Sequence, residues 1–154
     1  MWQTGALMRA RVEEEVQVTM EGTKEKIGDR YQTADWKAEK HVPVIECPGE
    51  VGSDEEFMVM VTVGKEIPHP NTTEHHIRWV QMYFQPDGEK FTYQVANCEF
   101  TAHGESAEGA NAGPVYTESK AGASLKLKKS GVLYATSLCN IHGLWESAME
   151  IKVT

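Results

Sequence analysis

The sequence predicts an all-β domain of the sandwich or barrel type. Two observations carry this. From about Val42 onward, short runs rich in β-branched and aromatic residues recur at roughly ten-residue spacing. Clusters of Pro, Gly, Asp and Ser separate them, and these are the residues that turns demand.

Taken in order, Phe57 to Val63 (FMVMVTV) is a strand and Ile77 to Phe84 (IRWVQMYF) a second. Pro86-Asp87-Gly88-Glu89 is a turn, and FTYQVANCEF, ending at Phe100, is a third strand that closes a hairpin. His103 to Pro114 (HGESAEGANAGP) has no apolar period and is a loop. Ser124 to Lys128 alternates as SLKLK, Lys129-Ser130-Gly131 interrupts it, and VLYATSL follows as a strand. Ala148 to Val153 (AMEIKV) closes the fold. The beginning differs: ALMRARVEEEVQVTM, ending at Met20, reads as an amphipathic helix or a helix giving way to a strand, with the triple Glu a solvated face. The expected organisation is an N-terminal extension over 1–30, with no role assigned, and one β domain over 31–154.

Composition narrows the function. The 154 residues suffice for one domain with its own core. The net charge of -8 disfavours a general nucleic-acid binder, and it means that an anionic substrate needs a local positive field. No apolar run is long enough to span a membrane, and the N-terminus lacks a signal-peptide core, so the expected compartment is the cytoplasm. The three cysteines Cys47, Cys98 and Cys139 are too few and too odd in number for a disulfide framework. Asn71-Thr72-Thr73 matches a glycosylation acceptor, which carries little weight without a secretory signal.

Six histidines are the chemical anomaly, and five fall in three tight contexts: Glu39-Lys40-His41-Val42-Pro43, then PHPNTTEHH from Pro68 to His76, then Cys139-Asn140-Ile141-His142-Gly143. Prolines and glycines beside them can hold side chains toward a common point. Cys139 and His142 are three apart, close enough for one turn to aim a soft thiolate and an imidazole at one metal. His75 and His76 are neighbours, so in extended chain they point opposite ways and only one is a ligand candidate. One thiolate with up to four imidazoles is an excess of neutral ligands for a structural zinc site. A five-ligand set points to redox iron. The alternative is a blue-copper electron-transfer site built from Cys139, His142, an upstream histidine and Met149, which leaves His41, His69 and His75 oversupplied.

QTADWKAEKHVPVIE, VGKEIPHPNTTEHHIRWVQMYF, EFTAHGES and SLCNIHGLWE together resemble superoxide reductase of the one-iron, neelaredoxin type, the desulfoferrodoxin iron-binding domain family. The resemblance runs from about Gln32 to the C-terminus. It implies an immunoglobulin-like β-barrel or sandwich of about seven strands that assembles as a homotetramer. It implies one mononuclear iron per chain, with His41, His69, His75 and His142 equatorial and Cys139 axial. Backbone amides of Ile141 and His142 are expected to moderate the thiolate's donation. Glu39 is implied as the sixth ligand on ferric iron, and Lys40 as the cation beside the open position. His76, His103, Cys47 and Cys98 have no metal role in the pattern; His103 is expected to be structural or at the surface, and the two cysteines small core residues. The implied reaction is one-electron reduction of superoxide to hydrogen peroxide, with a rubredoxin-like donor restoring ferrous iron. Two-iron relatives carry an additional four-cysteine iron site; no cysteine precedes Cys47, so a second iron is not expected here.

Overall fold

The computed structural model describes residues 24–154. The predicted helix ending at Met20 lies outside them. Among the described residues the helical content is one short 3-10 turn, Ile27–Arg30. Among the described residues no helix is long and apolar enough to cross a membrane.

Eight strands follow: β1 (Pro43–Glu46), β2 (Glu50–Val51), β3 (Glu56–Val63), β4 (Ile77–Pro86), β5 (Tyr93–Glu99), β6 (Lys120–Lys126), β7 (Gly131–Cys139) and β8 (Gly143–Val153). They form two sheets, β1-β3-β6 and β2-β8-β7-β4-β5. The all-β expectation therefore holds, in the form of an open sandwich rather than a closed barrel.

Strict alternation drives the smaller sheet. In β3, Phe57, Val59, Val61 and Val63 point inward while the residues between them are more exposed. That is the period of a strand with one face on a core. The larger sheet meets it with Val80, Met82 and Phe84 of β4 and Leu133 and Ala135 of β7. Val59, Val61, Leu133 and Ala135 are fully shielded from solvent. Cys47 and Cys98, expected in the core, are half-buried and pack against its margin.

Register then fixes one end of the sandwich. Cys139 is the last residue of β7, paired with Ile77 at the start of β4 and with Gly143 at the start of β8. The β7–β8 connection is thus a three-residue loop, Asn140-Ile141-His142, closed by Gly143 at φ +80. A glycine there meets the left-handed conformation that such loops need. His75 stands two residues before β4, as His41 does before β1. All three histidine contexts are delivered to the same end by strand pairing.

Candidate metal centre

The donor atoms of His41, His75, Cys139 and His142 all lie within 4.8 Å of one another. His142 Nδ1 is the hub: it stands 3.0 Å from His41 Nε2, 3.2 Å from His75 Nε2 and 3.6 Å from Cys139 Sγ. His69 is not in that closest group, but its ring packs 4.9 Å from His41 and 4.8 Å from His75, centroid to centroid. The rings of His75 and His142 are 4.9 Å apart, and those of His142 and His41 4.6 Å. The four imidazoles thus close a ring of near-equal sides, with His41 and His75 facing across it at 6.2 Å. Cys139 is buried beside them.

The protons are arranged for metal binding. His41 Nδ1–H donates to Glu39 Oε1 at 2.5 Å, which leaves Nε2 with its lone pair bare. His69 Nδ1–H donates to the carbonyl of Pro70 at 2.7 Å, and its buried Nε2 has no partner at all. A buried nitrogen without a partner is costly, and a bound cation removes that cost. Burial pushes the pKa of His69 down to about 4. Burial likewise lowers His41 and His75, and the charge of Lys40 contributes to both, so its field reaches the rings. All three are held neutral, the form that ligates. Metal–nitrogen bonds of about 2.1 Å at right angles separate adjacent nitrogens by about 3.0 Å, close to the spacings around His142. The donor set fits one metal ion.

Supporting residues hold each ring, and several carry no sequence signature. Trp145 stacks on His41 at 5.0 Å and 16°. Its indole N–H and the amide of Gln32 both donate to the carbonyl of His142, at 3.3 and 2.9 Å. The backbone N–H of His142 donates to Cys139 Sγ at 3.4 Å, one of the two amides expected there. Asn140 joins the two ligand loops: its Oδ1 accepts from the His76 amide and its Nδ2 donates to the Glu74 carbonyl. Gly64 lies at φ +82, and a Cβ there would collide with the backbone nitrogen of His69.

His76 points away from the cluster, its Nδ1 donating to the Thr72 carbonyl while its ring stacks on His103. His103 is buried, as the structural reading expected. Glu39 is turned to His41, accepting from both its ring and its backbone N–H. Burial works to raise the pKa of Glu39, but these bonds outweigh it and the net shift is downward. Lys40 lines an open groove of about 580 Å3 that His41, His142, Ile67, Glu39 and Trp145 also border.

The fold and the site define a class: a β-sandwich domain with a mononuclear histidine–cysteine metal centre at one end. The desulfoferrodoxin family model matches residues 33–148. Neelaredoxin from Megalodesulfovibrio gigas is 60% identical over 128 residues, covering 83% of this chain and 98% of its own length. Superoxide reductase from Pyrococcus furiosus is 58% identical, covering 82% of this chain and 99% of its own. The reduced form of the Archaeoglobus fulgidus superoxide reductase (neelaredoxin) superposes with a TM-score of 0.74 at 54% identity, covering 79% of this chain and 98% of that one. The chain belongs to the desulfoferrodoxin family.

Proposed function

We propose that the chain is a superoxide reductase in which His41, His69, His75, His142 and Cys139 hold one iron. The closed ring of four imidazoles beside the buried sulfur of Cys139 supports this most directly. Names of relatives that are more than half identical over most of the chain point the same way. Bound in the ferrous state, the iron supplies the single electron that superoxide takes up. Two protons complete hydrogen peroxide, and the oxygen–oxygen bond stays intact. Met149, the axial candidate of the copper alternative, instead has its sulfur 3.7 Å from Cys47 Sγ.

The chain's residues divide the work. Lys40 borders the groove beside His41 and His142 and draws the anion in against a net charge of -8. Glu39 would supply a carboxylate ligand to the iron once it is ferric. Its contact with His41 is an alternative resting place that leaves the groove clear. The His142 amide bonded to Cys139 Sγ withdraws density from the thiolate and so limits its donation.

Reduction needs an electron donor. A rubredoxin-like protein fits, because His142 and Ile141 are exposed at the metal end and Ile67 stands near them. The same proposal takes 31–154 as the working domain, with Gln32 bridged to Trp145 at its start, and leaves 1–30 as an extension with no role assigned. It also includes a cytoplasmic location and a homotetramer; exposed Met58, Phe91 and Tyr93 offer apolar surface for assembly.

The test is Cys139→Ser in the iron-loaded protein. The oxidised wild type is expected to show a thiolate-to-iron charge-transfer band, and the variant to lose it while still binding iron. A band that persists in the variant removes Cys139 from the ligand set.

A further inference from the structure

His103 has no place in the reaction described above, yet it is 4% exposed and both of its ring nitrogens are engaged. Nε2 lies 2.8 Å from the carbonyl oxygen of Phe100. Nδ1 lies 2.8 Å from Asn71 Oδ1. The orientation of the Asn71 amide is set independently, because its Nδ2 donates to the carbonyl of Thr117 at 3.1 Å. Turning the amide over would place two oxygens against each other. Both partners of the His103 ring are therefore acceptors with no proton to give. A neutral imidazole has one N–H and one lone pair, so one of these contacts would be lone pair against lone pair at 2.8 Å. Only the imidazolium satisfies both.

The surroundings suit a buried cation. Glu105 folds back so that its carboxylate accepts from the His103 backbone N–H at 2.7 Å. The ring of His76 stacks on His103 at 3.6 Å and 8°. The other charged groups bordering this ring are Arg78 of β4 and Glu99 of β5, on the rim of the adjoining cavity.

Asn71 sits between His69 and His75. The next residue, Thr72, accepts from the His75 N–H through Oγ1 at 3.0 Å and donates its own N–H to the His75 carbonyl at 3.0 Å. Whatever fixes Asn71 therefore fixes the turn that aims His75, and it anchors the chain two residues beyond His69. We infer that His103 is held as an imidazolium that clamps Asn71 and Phe100 together, and that through this clamp it positions His69 and His75. It is a positioning residue and touches neither substrate nor metal. The positioning half rests on the iron reading above; the charge half stands on hydrogen-bond accounting alone.

The experiment has two arms. In the first, the histidine ring nitrogens of the 15N-labelled full chain are observed by NMR at about pH 7. They are recorded without metal and with zinc, which avoids paramagnetic broadening. The expected result is that both His103 nitrogens carry protons in both samples; a bare nitrogen on His103 overturns the proposal. In the second, His103→Gln is loaded with iron and challenged with a chelator, and its ferric absorption band is recorded. Iron affinity is expected to fall roughly 10–100-fold, with a displaced band. Unchanged affinity and an unchanged band overturn the positioning role. Should the variant fail to fold, the wild-type NMR arm still decides the charge. Failure of the iron reading looks different: zinc would then leave the His69 and His75 resonances where they were, whatever the state of His103.

Discussion

Lys40 and Glu39 are adjacent in the chain and opposite in charge, and the proposed mechanism gives them different steps. Lys40 is half-buried on the groove that borders His41 and His142. Its proposed role is to recruit an anion, which is an electrostatic rate effect that salt screens within about 10 Å at 0.1 M. Lys40→Ala is therefore expected to slow the second-order reaction with superoxide and to flatten its dependence on ionic strength, both read by pulse radiolysis. An unchanged rate and slope would remove Lys40 from the approach path. Glu39 is proposed to act later. Its carboxylate is bonded to His41 in the present arrangement, and the proposed mechanism moves it to the ferric ion. Glu39→Ala is expected to leave the bimolecular step largely intact and to shift the ferric absorption band. A ferric spectrum identical to wild type would exclude Glu39 as a ligand and leave it only as the residue that sets the His41 tautomer.

At the scale of elements, the site depends on loops pinned by other loops. The Asn71–Glu74 stretch is held by Asn111, whose Oδ1 accepts from the Thr73 N–H and whose Nδ2 donates to both carboxylate oxygens of Glu74. Asn111 adopts φ 63, a left-handed conformation that asparagine tolerates. The Gly- and Ala-rich segment over 103–114 reads from sequence as a plain loop, but it is the outer wall of the ligand loop. Gly64 pins the other side, since its bare Cα lies against the His69 backbone. Gly64→Ala adds both a strained positive φ and a steric clash there. It is expected to lower iron affinity by roughly 10-fold or more in chelator competition, the scale of a lost supporting contact. Wild-type affinity would show that the His69 loop moves freely.

The elements also show what a sequence can reveal. β3, β4, β5 and β7 announce themselves because each is long enough to display its residue preferences or an alternating face. β1 and β2 are four and two residues long, and they exist because β3 and β8 offer them edges. The first half of β8, from Gly143 to Ser147, lacks a clean period because the apolar Leu144 and Trp145 are adjacent and the positions around Trp145 stay half-buried. The histidines and Cys139 were legible because imidazole and thiolate chemistry clusters in short motifs. Trp145, Gln32 and Asn140 were not, because tryptophan and amide side chains are common everywhere. Their roles come from contacts 64 to 110 residues apart in the chain.

For the whole molecule, the sandwich provides a rigid end onto which three distant segments converge. Cys139 is fixed by the central strand β7, between β4 and β8, and so by the best-buried part of the core. The imidazoles ride on the loops around it. Cys139 is thus anchored by the sheet, and the histidines are held around it by the contacts between the loops. The overall charge of -8 opposes an anionic substrate at long range, and Lys40 supplies a positive charge beside the site. Whether this centre reduces superoxide or dismutates it is tested most directly by the hydrogen peroxide formed per superoxide consumed by the ferrous protein. One peroxide for each superoxide, with one iron oxidised each time, is the expected result. Half a peroxide for each superoxide, with oxygen released and the iron returned to its starting state, would contradict it.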